Sequence, residues 1–211
     1  MDDPVREFEG RARGSGYSVV AGVDEVGRGP LAGPVVSAAV ILPDDFSVTG
    51  VADSKRLSSK ARQRLYSEIY TGARSVGIGI VDPVEIDRIN IFQASLVSMA
   101  IAVKNLAPQP DCLLVDGKHS IDIDISQRTI VRGDSRSVSI AAASIVAKVT
   151  RDRIMQRYCD EYPEYGFSGH KGYPTKKHFA AINDHGCCPI HRRSFNGVRG
   201  QKRSHYSTGG S

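Results

Sequence analysis

Short apolar runs alternate with amphipathic stretches along most of the chain, and this alternation predicts a layered α/β domain. The β-branched runs at residues 18–23 and 35–42 lie on either side of a Gly/Pro-rich loop, which predicts two paired strands. Further strands are predicted at residues 74–81, 112–115 and 128–132, and helices at residues 59–70, 90–106, 137–158 and 175–185. The pattern contains no internal repeat and no linker, so a single domain is expected.

Composition divides the chain into three predicted parts. Residues 1–16 are polar and Gly-rich and predict a flexible N-terminus, residues 17–198 hold the core-forming side chains, and residues 199–211 predict a flexible basic tail. The first ten residues lack the apolar run of a secretory leader, so we expect reduced cysteines and a cytoplasmic protein. No apolar stretch reaches the ~18 residues of a membrane span, so a membrane protein is not expected.

The cysteines raise the question of a zinc site. Cys187 and Cys188 lie near His185 and His191, but the usual paired Cys-x-x-Cys spacing is missing. Neighbouring side chains rarely bind one ion together, so buried or idle thiols are the favoured interpretation.

The net charge of +5 suits a polyanionic partner, because each Lys or Arg that meets a phosphate releases condensed counterions. A solubilising surface charge explains the same excess equally well. The basic residues become denser toward the C-terminal end, where residues 191–193 read His-Arg-Arg. That triplet predicts either a duplex-facing surface or a solvated basic segment.

Asp24 and Glu25 are two consecutive acids directly after a buried-looking strand. Burying ionised carboxylates without partners is strongly unfavourable, and a bound divalent cation would neutralise their charge. Acidic pairs are, however, also common in solvated turns. Gly27, Arg28 and Gly29 follow shortly after. The glycines let the backbone pass close to a ligand, and the Arg28 guanidinium is a planar donor suited to phosphate. A tight hairpin would use the same glycines.

Asp116 and Asp134 are the other candidate acids, and each is next to a glycine. Asp116 ends a predicted strand, and ligand-binding groups in α/β sheets gather at the carboxyl ends of strands. Asp134 precedes a long predicted helix. Taken singly, the first fits a turn and the second a helix start. Four acids at three element junctions, beside basic donors, favour a common metal site.

The sequence does not show how Asp24 and Glu25, which are neighbours in the chain, can serve one metal site. In a regular strand Asp24 and Glu25 point to opposite faces. For both to serve one site, the strand must end or twist there, or Glu25 must act through water or backbone.

Seven stretches of the chain match one known family in order. They are residues 23–36, residues 53–55 with Leu57, residues 115–117, residues 133–135, AAASIVAKVTRD at residues 141–152, residues 171–175 with His178, and residues 191–195. Each is weak alone, but the combination is highly specific and covers nearly everything between Val19 and Phe195. In these stretches the chain resembles bacterial ribonuclease HII, the type 2 ribonuclease H family.

This resemblance implies a ribonuclease H-like fold, with a mixed central sheet flanked by helices and a helical C-terminal region. It implies an endonuclease that cuts the RNA strand of RNA–DNA hybrids, nicks 5′ of single ribonucleotides in duplex DNA, and so serves ribonucleotide removal. The products would carry a 3′-hydroxyl and a 5′-phosphate. Four residues match the family's catalytic acids and would bind Mg²⁺ or Mn²⁺, most simply as two ions: Asp24, Glu25, Asp116 and Asp134.

The same resemblance implies the substrate contacts. Gly27, Arg28 and Gly29 would sense the ribose 2′-hydroxyl, largely through backbone groups, and Tyr173 would stack near the sugar. Contacts with phosphate are expected from Ser54 and Lys55, and from Lys148 or Arg151. An ion pair with Asp152, four residues further on, is an equally good interpretation of Lys148.

Two alternatives compete with this prediction. Ribonuclease HIII normally carries an additional N-terminal domain, which the short segment before the first strand does not accommodate. A binding module that grips hybrids without cutting them would not need the four acids, whose charge opposes phosphate unless cations neutralise it. We therefore expect a nuclease that acts as a monomer on RNA–DNA hybrids or on DNA duplexes containing ribonucleotides.

Overall fold

A mixed sheet forms the centre of the fold in the computed structural model, which describes residues 6–46, 58–202 and 204. Its strands are β1 (Val20–Val26), β2 (Val35–Ile41), β3 (Ser75–Val81), β4 (Cys112–Asp116) and β5 (Ser126–Ile130). The order across the sheet is β3-β2-β1-β4-β5. β2 is antiparallel to β1 and β3, whereas β4 is parallel to β1 and β5. The predicted α/β class with a mixed sheet is confirmed.

Helices cover both faces of this sheet. They are α1 (Glu7–Gly14), α2 (Ser59–Gly72), α3 (Pro83–Lys104), α4 (Val138–Glu161), α5 (Phe167–His170) and α6 (Lys176–His185). Ala38 and Val40 of β2 pack with α2 and α4, while Ala39 and Ile41 pack with α3. Because successive strand residues point to opposite faces, β2 contributes to both cores and is buried throughout.

The helices lie very close to the sheet at positions where the strands have glycine. A Cβ atom added at Gly22 of β1 would lie 2.1 Å from the carbonyl carbon of Ser139 in α4, and one at Gly79 of β3 would lie 1.8 Å from the carbonyl oxygen of Ser98 in α3. The small side chains at the start of α4 predict such an approach, and it is confirmed. The position of α4 is therefore fixed against β1 by direct backbone contact.

The N-terminal segment is ordered where the sequence predicts flexibility. α1 buries Phe8, and the buried carboxylate of Glu9 accepts hydrogen bonds from the Ser137 hydroxyl (2.6 Å) and from the Ser139 hydroxyl (2.6 Å) and amide (3.0 Å). The sequence did not predict this helix, because a buried acid that binds the start of another helix looks in sequence like a solvated one.

In the sequence, Asp82 followed by Pro83 predicts a helix cap, and the position of Glu85 predicts a capping box. The start of α3 has the predicted cap. The Asp82 carboxylate accepts a hydrogen bond from the Glu85 amide at 2.8 Å. The reciprocal half of the predicted capping box is absent, because the Glu85 side chain pairs with Arg88 instead.

α3 has the length and hydropathy of a membrane span, but it is not one continuous helix. Asn90 interrupts it with a φ of 66°, and the Asn90 side chain then caps the second half by accepting from the amides of Phe92 and Gln93. Each piece is shorter than the roughly 20 residues that a span needs. Met99 and Val103 pack on the sheet, as expected of a core helix.

A helical C-terminal region follows α4 and packs through Tyr165, Phe167 and Ile190. The first residues of the predicted flexible tail are ordered against it, since the Cys187 amide donates to the Lys202 carbonyl at 2.9 Å. The flexibility of the tail as a whole stays a prediction. Residue 203 and residues 205–211 lie outside the described part of the chain.

Candidate active site

Three acids meet at one edge of the sheet. Asp24 and Glu25 lie in the last part of β1, and Asp116 is the last residue of β4. The parallel register pairs Val23 with Val115, so Asp24 and Asp116 follow side by side. Oxygen atoms of the three carboxylates all lie within 4.8 Å of one another. The expectation that distant acids converge at the carboxyl ends of strands is confirmed for these three.

The strand does not end between Asp24 and Glu25. Pairing of β1 with β2 continues regularly to Val26, whereas pairing with β4 stops at Val23. The side of β1 that faces Asp116 is therefore open beyond Val23. The Glu25 carboxylate joins the cluster at this point, although the two acids are neighbours in one strand.

Burial and mutual repulsion raise the pKa of both Asp24 and Glu25. Burial, and then the charges of Glu25 and Asp116, raise the pKa of Asp24 well above its ordinary value, although a hydrogen bond from Ser144 lowers it. Burial also raises the pKa of Glu25, against the lowering effect of Arg28. Such a group of crowded carboxylates gains stability when a cation neutralises it.

The donor set fits a hard divalent cation. The cluster offers three carboxylates with no thiol or imidazole, and oxygen ligands of this kind suit Mg²⁺ or Mn²⁺ better than zinc. Asp24 is only 6% exposed, so the cluster is largely withdrawn from water. These observations support a metal centre at this edge of the sheet.

Asp134 lies next to the cluster but is not one of the three residues whose oxygens converge. It sits in a 3₁₀ turn after Gly133, whose amide donates to the Asp116 carboxylate at 2.6 Å. A Cβ atom at Gly133 would lie 2.5 Å from the end of the Ile140 side chain, so a larger residue there would displace that side chain. Asp134 is buried, and its part in metal binding stays a prediction.

The predicted ribose-sensing loop borders the cluster. Gly27 is buried with a φ of 99°, and a Cβ there would lie 2.4 Å from the Arg151 side chain. The Arg28 guanidinium lies 3.4 Å from the Glu25 carboxylate. A Cβ at Gly29 would lie 3.6 Å from the Tyr173 ring, which is 40% exposed. The structure therefore brings the loop and Tyr173 together beside the acids.

Two basic residues predicted on the surface are buried instead. Arg151 and Arg192 are both 0% exposed, and each guanidinium donates to main-chain carbonyls. Burial lowers their pKa, to about 10 for Arg151 and about 9 for Arg192. A phosphate contact for Arg151 is excluded by this burial, and both predictions for residues 191–193 are wrong for Arg192. These roles depend on carbonyls from distant segments, which no local pattern indicates.

The remaining predicted contacts have different outcomes. Lys148 forms an ion pair with Asp152, as one of its two interpretations predicts, and its contact with phosphate stays a prediction. Ser54 and Lys55 lie outside the described residues. His178 is fully buried and donates from Nδ1 to the Tyr173 carbonyl oxygen at 3.0 Å, so it supports the backbone of Tyr173.

Residues that the sequence did not single out line a small cavity beside the acids. The cavity has a volume of about 90 Å³, and Glu25 and Asp116 form part of its wall. Lys118 and His119 border it, and the His119 ring meets Phe92 edge-on at 4.9 Å. Their position directly after Asp116-Gly117 was the available sequence signal.

The cysteines and histidines of the C-terminal region form a packed network of a different kind. Cys188 lies 3.1 Å from Nδ1 of His191, whose Nε2 lies 3.1 Å from His178. Burial raises the pKa of Cys188 to about 12, so the thiol keeps its proton. Among the described residues the acidic cluster is the only group with metal-ligand geometry, and Cys187 and Cys188 are both buried, as the favoured interpretation of these thiols predicts.

Comparisons with known proteins agree with this geometry. The family model for ribonuclease HII matches residues 21–198. Ribonuclease HII of Geobacter metallireducens is 55% identical over 91% of this chain and 90% of its own length, and that of Syntrophus aciditrophicus is 55% identical over 89% of each. The crystal structure of ribonuclease H2 from Pyrococcus horikoshii OT3 has a TM-score of 0.73 at 27% identity, and covers 86% of this chain and 96% of that one.

The matched residues include the acidic cluster, the glycine loop and Tyr173. The solved relative has the same fold over most of its length. With a family model that spans most of the chain and relatives at more than half identity, the chain belongs to the ribonuclease HII family.

Proposed function

We propose that this endonuclease, which acts on RNA–DNA hybrids as its family does, also nicks duplex DNA on the 5′ side of a single embedded ribonucleotide. The products would carry a 3′-hydroxyl and a 5′-phosphate. The observation that carries the proposal is the convergence of three carboxylates within 4.8 Å, directly beside the loop of Gly27, Arg28 and Gly29.

The acids would bind the metal, and the loop would recognise the sugar. Asp24, Glu25 and Asp116 would hold Mg²⁺ or Mn²⁺, with Asp134 completing the ligand set. When bound, two such ions supply Lewis-acid stabilisation of the attacking water and the leaving 3′ oxygen. This assignment rests on the all-oxygen donor set and on the burial that crowds the acids together.

The groups around the cluster would position the substrate. The Arg28 guanidinium is half exposed and near Glu25, so it can meet a phosphate next to the scissile bond. Tyr173, exposed beside Gly29, would stack against the sugar that carries the 2′-hydroxyl. The 2′-hydroxyl is the group that distinguishes RNA from DNA at one site.

One incubation tests the proposal. Purified protein is mixed with a labelled DNA duplex containing one ribonucleotide, in Mg²⁺, in Mn²⁺ or in chelator. We expect a single nick 5′ of the ribonucleotide that requires the metal. Cutting that persists in chelator, or no cutting of this duplex in either metal, would reject it.

The Asp116→Asn variant separates an enzyme from a non-catalytic binding module. We expect the variant to lose cleavage while duplex affinity survives or improves, because a negative charge facing phosphate is removed. Asp184→Asn, which changes an exposed carboxylate on α6, is the matched control and should cut normally. Action as a monomer in the cytoplasm is part of the same proposal.

A further inference from the structure

Among the residues that the structure describes, Arg151 and Arg192 are the two largest fully buried side chains. Neither forms an ion pair with any residue in the described ranges. Burying a guanidinium without a carboxylate is costly unless its N–H groups find acceptors. The acceptors in this protein are main-chain carbonyls, and most belong to the loop between β1 and β2.

Arg192 binds the part of the loop that includes Gly27 and Arg28. Its Nη2 donates to the Gly27 carbonyl at 2.6 Å, its Nη1 to the Arg28 carbonyl at 3.1 Å, and its Nε to the Gly33 carbonyl at 2.9 Å. The Arg192 amide also donates to the Leu31 carbonyl at 2.8 Å. One residue from the C-terminal region thus holds four carbonyls of this loop.

Arg151 of α4 holds the other side of the loop and joins it to the segment before Tyr173. Its side chain donates to the carbonyls of Pro34 (3.0 Å), Ala32 (3.1 Å) and Lys171 (3.0 Å). The loop and the segment that carries Tyr173 are therefore held by the same guanidinium.

These bonds fix which backbone groups the loop presents outward. The carbonyls of Gly27 and Arg28 are turned toward the buried Arg192 guanidinium. Within the described chain, the amides of Arg28 and Gly29 donate to no backbone carbonyl, and both residues are exposed. The loop therefore offers N–H donors to a ligand, an arrangement that suits hydroxyl or phosphate oxygens.

We infer that Arg192 is a positioning residue for ribose recognition, which holds the Gly27 and Arg28 carbonyls inward so that the loop amides face the 2′-hydroxyl. This inference rests on the proposed function. The planar guanidinium is required because three donors in one rigid fork reach three carbonyls, which a lysine ammonium on a flexible stem does not reproduce. Arg192 acts through the loop and does not itself touch the substrate.

The test measures discrimination rather than activity. Wild type and Arg192→Lys are titrated with two DNA duplexes in Ca²⁺, one containing a single ribonucleotide and one all-DNA. We expect the Kd for the all-DNA duplex, divided by the Kd for the ribonucleotide duplex, to fall by about three- to tenfold in the variant. A change of this size corresponds to the loss of one hydrogen bond. Affinity for the all-DNA duplex should change little. Any unfolded fraction cancels from the ratio, because both duplexes are titrated with one preparation.

Controls make each outcome decisive. Arg199→Lys, an exposed site with the same exchange, should keep the wild-type ratio. If Arg192→Lys does not fold, Arg192→Gln is titrated in its place, and amide hydrogen exchange is followed in wild type. Fast exchange of the Arg28 and Gly29 amides, slowed by the ribonucleotide duplex and not by all-DNA, supports the inference.

Two results would overturn the inference. One is an unchanged Kd ratio in a folded Arg192 variant, and the other is slow exchange of the loop amides in the free protein. Wild-type cleavage of the ribonucleotide duplex is assayed alongside. If wild type fails to cut, the proposed function is wrong. If it cuts but the Kd ratio in the variant is unchanged, only the role of Arg192 is rejected.

Discussion

Replacing Asp24 by Asn tests whether the acidic cluster was selected for metal binding at the expense of stability. Asp24 lies within 4.8 Å of both Glu25 and Asp116, measured between carboxylate oxygens. Two unit charges at that separation repel by about 3.5 kcal/mol at an effective dielectric constant of about 20. Asp24 takes part in two of the three pairs, so its neutralisation relieves most of the repulsion that ionisation would create.

The metal-free Asp24→Asn protein should therefore be more stable than wild type at neutral pH, by roughly 1–3 kcal/mol, because partial protonation already relieves part of the repulsion. The folded-state pKa of Asp24 is raised above its ordinary value of 3.8. The penalty is therefore absent below about pH 3.8 and grows as the pH rises toward the folded-state pKa. The stability difference should vanish in acid and be largest near neutrality.

Urea denaturation in chelator across this pH range measures the effect, with Asp184→Asn as the exposed control. Mg²⁺ or Mn²⁺ should then raise the unfolding midpoint of wild type and leave that of Asp24→Asn nearly unchanged, since binding to the folded state stabilises it by mass action. Cleavage should be lost in the variant. The reasoning is refuted if metal-free Asp24→Asn is less stable than wild type at neutral pH.

Three further predictions concern the elements around the site. Gly22→Ala places a Cβ 2.1 Å from the Ser139 carbonyl carbon, and we expect a loss of about 3 kcal/mol in urea denaturation; an unchanged midpoint would contradict the close helix–strand contact. Glu9→Ala leaves three hydrogen-bond donors at the start of α4 without their acceptor, and thermal unfolding should show a loss of about 2 kcal/mol or more, whereas a wild-type Tm would mean that α1 does not hold α4. Lys148→Ala removes a partly exposed ion pair with Asp152 and should cost less than about 0.5 kcal/mol. Steady-state cleavage should show a higher KM at constant kcat if Lys148 also meets phosphate, and an unchanged KM leaves it only the ion pair.

The sequence predicted the elements that depend on local pattern. The apolar run of β2 and the Asp82 cap of α3 are both present as expected. The break at Asn90 follows from a side chain that caps its own downstream amides. Each feature depends on residues a few positions apart, so a short stretch of sequence is enough to predict it.

The resemblance to ribonuclease HII located the acids, and the comparisons confirm the family. From the residues alone, Asp24 and Asp116 could be solvated turns. Only the parallel register of β1 and β4 brings them side by side. Only the folded chain shows that the Glu25 carboxylate joins them, beyond the point where pairing of β1 with β4 stops.

The sequence by itself therefore determined the order of the five strands and of α2, α3, α4 and α6, and together with the family resemblance it identified the acids. Only the tertiary structure decided that the side chains of Arg151, Arg192 and Glu9 are buried, because in the sequence they look like solvated charges. The physical reason is that a charged group can be buried only where acceptors or donors surround it. Those partners are carbonyls, hydroxyls and amides from segments far apart in the chain, and the folded chain is what brings them together.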